Sequence, residues 1–273
     1  SAFNTGGLAA AVGGVVIGEN QSEIADEPLQ AGDAIGASLI RGDLTMAGTG
    51  TVTMVEGDRV YAFGHPFYNL GPTSFPMTRA HVTTLLPSLA ISSKLASIGE
   101  VLGTIDQDRA TGIYGSFGPG PRMVPVSMNF ESPNRDLQRT FNFEIIEDSL
   151  FTPLLTFTTA LNTFTTWARS VGPSTFEVRA IAQIKDHGDV RFDDIYSGDA
   201  AAVLAASAIS NPLVTLFQSA LGSIEIERID VTVSASEESR IATLERAWID
   251  TTRLRAGSEA ELKLVIEGND GVE

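Results

Sequence analysis

The chain contains no cysteine. That absence removes disulfides, thiolate zinc sites and cysteine nucleophiles together, and it leaves the redox compartment open, because exported bacterial proteins are often cysteine-free as well. Positive charge is scarce: 18 Lys and Arg stand against 34 Asp and Glu, a formal charge of -16. Such a surface repels a phosphate backbone and an anionic bilayer, so nucleic acid is excluded as a partner class. Histidine occurs only three times. His65 and His81 have no H-E-x-x-H and no carboxylate cluster between them, so a zinc site without thiolates has no ligand set, and no metal or cofactor is expected. No glycine cluster is followed by Lys-Ser or Lys-Thr, which removes the Walker phosphate loop. The acidic stretch DHGDVRFDD, Asp186 to Asp194, lacks the spacing of a helix-loop-helix calcium loop and reads as a solvated turn. The RGD at Arg41 to Asp43 reads as a turn without adhesion function.

What is present is a globular composition. With 273 residues and 43% hydrophobic content, the chain can bury a substantial core. Short alternating runs, AIGASLI, TGTVTMV and RVYAF, are separated by RGDL and EGD turn compositions between Ala34 and Phe63, which predicts a β-meander. The section PMTRAHVTTLLPSLAISSKLA mixes prolines with β-branched residues. VLGTIDQDRATGIYGSFGPGP, rich in glycine, predicts a loop-rich passage. MVPVSMNF and RTFNFEII predict strands joined by SPNRD as a hairpin connection, so the chain is β-rich to about Glu147.

Two uncharged segments follow, Leu150 to Ala168 and Ala200 to Ile224. The first is threonine-rich and the second carries Asn211-Pro212 at its middle, so buried helices near 150–168 and 200–221 are expected in preference to membrane spans. FEVRAIAQIKD and SIEIERIDVTVSAS alternate as strands around the second segment. RIATLERAWID and the passage LRAGSEAELKLVIEG resemble the opening strands of a β-sandwich module. The apolar run from Gly6 to Gly18 is too short to span a bilayer and lacks preceding basic residues. Since the chain opens on Ser1 and closes after a strand-like run, a longer precursor with an export signal upstream is expected.

The chemistry centres on YAFGHPFYNLGP, residues 61–72, where His65 sits between Gly64 and Pro66 directly after a strand-like run. GDAIGASLIRGDLTMAGTGTVTMVEGDRVYAFGHPFYNLGP, continuing into FPMTRAHV and later TIDQDRATGIYGSFGPGP, resembles the SpoIVB-type serine peptidase family in its branch of large exported bacterial proteins. The resemblance runs from about Gly32 to Trp248, and the pairing of G-T-G-T with F-G-H-P is its most specific part. It implies a chymotrypsin-like β-barrel-related domain and makes His65 the general base of a Ser-His-Asp arrangement. There an imidazole takes the serine proton and is held in one tautomer by a carboxylate. Asp106 and Asp108 in TIDQDR are the orienting carboxylates that the resemblance suggests, while pairing of Asp108 with Arg109 or capping of a turn stays open.

The family's G-x-S-G-x-P nucleophile motif is absent. Ser74 in GPTSFPM has phenylalanine and proline beside it, and proline offers no N–H to an oxyanion. Ser116 in YGSFGPG has smaller neighbours but belongs to a different part of the pattern. The fold expected is mainly β with two or three helices (α+β), divided into a glycine-rich segment over 1–30, a peptidase-like domain over 31–235 and a C-terminal β segment over 236–273. The function expected is that of a SpoIVB-like fragment or a non-catalytic relative in the periplasm or at the cell surface. The alternative is a structural or interaction module, or an accessory subunit of a cell-envelope assembly. Either way the expected partner is a protein or peptide, including the remainder of its own precursor or a larger assembly.

Overall fold

The computed structural model describes residues 28–86, 93–168, 172–219, 222, 224–238, 240, 242–249, 256–257, 259–268 and 271–272. Apart from residues 28–30, the glycine-rich segment read over 1–30 lies outside the described residues. The chain is mainly β with two helices, an α+β fold. The expected meander is there: β1 (Ala34–Gly42), β2 (Met46–Glu56) and β3 (Arg59–Ala62) pair antiparallel in sequence order. β4 (Gly71–Leu86) and β5 (Ser93–Arg109) form a long antiparallel pair, and β6 (Gly112–Phe117) inserts between β5 and β3. The first half of β1 pairs with β2 on one side and with β4 on the other, through Ile35 to Ala37. The pairings of β1, β2, β3, β6, β5 and β4 therefore return on themselves. Inward-facing Ile35, Val52, Val60, Met77, Ile105 and Ile113 are all buried, as alternation on a curved sheet requires.

The passage from Val101 to Pro121 is not loop-rich as expected: most of it is strand, with Ala110 and Thr111 as the turn. Its glycines serve close approach rather than turning. A Cβ on Gly115 would lie 2.6 Å from the Thr104 carbonyl oxygen, and one on Gly103 would lie 2.9 Å from the Phe117 Cα. Two strands this close tolerate only hydrogen at those positions.

Beyond a register shift at Ser38 to Ile40, the end of β1 pairs with β8 (Leu137–Ile146), whose hairpin partner is β7 (Met123–Ser132). The SPNRD connection is a short 3-10 turn, with Asp136 left-handed at φ 49°. β11 (Ile226–Ser236) pairs parallel with β7 and antiparallel with β9 (Ser174–Ile184), and β10 (Gly188–Gly198) closes the edge. Of the four aspartates in DHGDVRFDD, only Asp186 is in the turn; the others lie on β10, where Asp189 pairs with Arg191 and Asp193 with Arg179. No metal-binding cluster of His and carboxylates occurs among the described residues.

Helices α1 (Phe151–Trp167) and α2 (Ala201–Phe217) occupy the two uncharged segments and pack against each other, α1 also on β7 and β8 and α2 on β9 and β10. Asp148 starts α1: its Oδ1 accepts the Phe151 N–H at 3.0 Å, while the Thr152 hydroxyl oxygen accepts the Asp148 N–H at 2.8 Å. This reciprocal bonding satisfies donors that a helix start leaves open. Leu155, Ala160 and Phe164 of α1, with Ala205, Ile209 and Leu213 of α2, complete a core shared with the sheet. No helix among the described residues is long and apolar enough to cross a membrane. At the C-terminal end, β12 (Thr243–Ile249), β13 (Leu262–Gly268) and β14 (Gly271–Val272) form a separate sheet.

One surface pair carries a pH signature. Arg79 on β4 donates Nε–H to Glu100 on β5 at 2.6 Å, and this bond holds the Glu100 carboxyl below its ordinary value. A carboxyl depressed by folding stabilises fully above its unfolded value of about 4.3, and that contribution is lost as pH falls through the folded value. Thermal melts between about pH 3 and 6 should show wild type more stable than Glu100→Gln at the upper end, with the gap closing on acidification. A gap that stays constant with pH would rule this out.

Candidate functional site

Phe63, Gly64, Asn69 and Gly71 all have positive φ, at 75°, 72°, 61° and 83°. The segment from β3 to β4 is thus a tight, repeatedly reversed loop with His65 near its tip. A phenylalanine in the left-handed region is costly, of order 1 kcal/mol or more, and persists only where packing over-determines it. Here the packing comes from β2. Gly48 and Gly50 are two apart and so present the same face. A Cβ on Gly48 would lie 2.8 Å from Phe67 Cζ, and one on Gly50 would lie 2.7 Å from Phe63 Cγ. The two rings lie on bare backbone, edge to face with each other at 5.7 Å. This is the physical link between the G-T-G-T and F-G-H-P runs: the first is the seat for the aromatics of the second. Spacing in sequence could not reveal it, because the contact joins different strands.

The other half of the support is Asp108. Its side chain is fully buried, and its carboxylate accepts backbone N–H bonds from Phe67 at 2.8 Å, Tyr68 at 2.6 Å and Leu70 at 3.3 Å. Three donors converging on one carboxylate replace its lost hydration, which makes the buried charge tolerable. Burial, and then the Asp108 charge beside it, push the Tyr68 phenol above its ordinary value. Tyr68 packs on Phe151 in a tilted arrangement, 5.0 Å between ring centres. The loop is thereby tied to the start of α1.

The imidazole of His65 is exposed. Its Nδ1 donates to the adjacent Pro66 carbonyl at 2.9 Å. In the neutral ring this bond leaves Nε2 as the acceptor. Phe63 lies edge-on to the imidazole at 5.7 Å.

The structure thus brings Asp108 to the His65 loop through the loop's backbone. Asp106 is engaged elsewhere: its Oδ2 accepts the Ser116 hydroxyl at 2.8 Å. Ser116 faces Arg59 across the β3–β6 pair, and the strand rise separates Arg59 from Ala62 by about 10 Å before the histidine loop begins. Ser74 is an exposed residue on β4. Arg109 donates to Gln107 at 2.9 Å rather than to Asp108. Among the described residues, no carboxylate and no hydroxyl bonds to the imidazole. The arrangement can accept a hydrogen bond at Nε2 of the exposed imidazole, as a base or at a binding surface. It contains no assembled nucleophile. Comparison of the chain with family models, with curated proteins and with solved structures returns no match.

Proposed function

We propose that this chain is a SpoIVB-peptidase-related domain that performs no hydrolysis by itself and serves as an interaction module for a protein or peptide. The observation that carries this reading is the engagement of both candidate carboxylates. Asp108 holds the backbone of residues 67–70 and Asp106 holds Ser116, while a Ser-His-Asp arrangement needs one carboxylate on the imidazole itself. The returning order of six strands is compatible with a chymotrypsin-like β-barrel ancestry, and the resemblance of the motifs supplies the family. Sites are grafted onto folds and are lost from them without loss of the scaffold. On this reading the loop survives because it is built into the sheet, its rings on Gly48 and Gly50 and its amides on Asp108. The resemblance to the exported branch of that family carries the location on this reading, in the periplasm or at the cell surface.

A fluorophosphonate probe that reacts with activated serines tests the reading. The chain should show no labelling, and His65→Ala should unfold within about 0.5 kcal/mol of wild type, as exposed substitutions usually do. Labelling that disappears in His65→Ala would overturn the proposal.

The second reading keeps catalysis and puts the serine on another segment of a longer protein. The Nδ1 bond to Pro66 favours it, because it leaves Nε2 of an exposed imidazole as the acceptor, as a general base requires. The same probe on the product of the full open reading frame separates the two, since only this reading expects labelling there that needs His65.

A further inference from the structure

The two helices carry no charged residue at all: none in Phe151–Trp167 and none in Ala201–Phe217. At the chain's 19% charged content, a stretch of that combined length would hold about six. Their inner faces fill the core, but the outer faces are uncharged too. Leu154 is 47% exposed, Val203 47%, Leu204 48% and Val214 37%. Four hydroxyls on the two helices are already bonded to carbonyls of their own helix. Thr158 donates to the Leu154 carbonyl and Thr165 to the Leu161 carbonyl, both at 2.8 Å. Ser207 donates to the Val203 carbonyl at 2.8 Å and Thr215 to the Asn211 carbonyl at 3.2 Å. A hydroxyl satisfied in this way loses little when water is removed, so these four positions can be buried at low polar cost.

We infer that this helix layer is a docking surface for a second copy of the chain, forming a weak two-fold dimer. Two arguments select that occupant. An isologous contact sets a patch against itself, so a chargeless patch on a chain of net charge -16 is where copies meet with least like-charge repulsion. The size also fits. Two helices of 17 residues, each about 25 Å long and 10 Å wide, present about 500 Å² per copy, or about 1,000 Å² in total, at the threshold of a specific interface. An anionic lipid surface would repel the acidic remainder of the molecule. The inference stands independently of His65.

Sedimentation velocity on the intact chain, from about 1 to 100 μM, is the test. A concentration-dependent dimer is expected, tightening as salt is raised, because screening relieves repulsion outside an uncharged contact. Leu154→Asp and Leu204→Asp should each weaken it at least about tenfold. Leu204→Gln should weaken it less, and Ile195→Asp, an exposed site on β10, should not. Circular dichroism verifies that each variant is folded. A monomer throughout the range overturns the inference, as does a dimer indifferent to both aspartates. Flotation of a monomer with uncharged phosphatidylcholine vesicles would likewise overturn it, in favour of a lipid surface.

Discussion

Asp108→Ala is expected to lower unfolding stability by about 3–5 kcal/mol and to strip protection from the amides of Phe67, Tyr68 and Leu70. The carboxylate is fully buried and is the acceptor for all three. Hydrogen bonds to a charged group contribute about 1.5–3 kcal/mol each, and donors left without an acceptor in a buried place add their own desolvation cost. The three bonds fall on a segment of four residues, so they are lost together and their sum overstates the effect. Asp108→Asn separates the clamp from general packing. The amide keeps the volume and one accepting oxygen but turns an NH2 group towards an N–H donor, so about half the loss is expected. Urea unfolding gives the stability, and hydrogen exchange resolved at residues 67–70 gives the location. An alanine variant within about 0.5 kcal/mol of wild type would show that the carboxylate does not hold the loop. If alanine prevents folding, the asparagine variant still reports on the same amides.

Gly50→Ala is the second large effect, with an expected cost of about 2–4 kcal/mol. Its Cβ would fall against the Cδ2–Cε2 edge of the Phe63 ring and only 2.7 Å from Cγ, so one side of the ring is overlapped from edge to root and a small rotation of the side chain does not clear it. Phe63 also has φ at 75°, a conformation with little room to drift. The overlap therefore moves backbone, and His65 is two residues away. The pairing is tested by a double-mutant cycle. Phe63→Ala removes the ring, after which Gly50→Ala should cost at least about 1 kcal/mol less than it does alone. Additive costs would mean that the glycine serves some other purpose, such as strand curvature.

These two variants mark how far the candidate site was legible in the sequence. The strand–turn–strand unit that delivers His65 was legible, because Val60 and Ala62 alternate inward and the residues after them are punctuated by glycine and proline. The importance of Asp108 was legible as a carboxylate near the histidine, but its role was not. Position in sequence cannot say whether a carboxylate faces an imidazole or three amides, a distinction that depends on β4 and β5 closing beside the loop. The passage around Gly103 and Gly115 departs from expectation for a related reason. Glycine signals a turn when only neighbours along the chain are considered, yet here it signals a second backbone pressed against it.

What the sequence determined by itself was local or collective. The absence of thiolates, the acidic surface, the meander, the uncharged helices and the hairpin at SPNRD follow from composition, period and turn chemistry, which act over a few residues. Only the tertiary structure decided which atoms meet: Phe63 and Phe67 on Gly48 and Gly50, the loop amides on Asp108, Ser116 on Asp106. Each of these contacts joins residues at least ten positions apart, brought together by strand register. Register is a property of the whole sheet, set where many pairings are satisfied at once, so no single stretch of residues contains it.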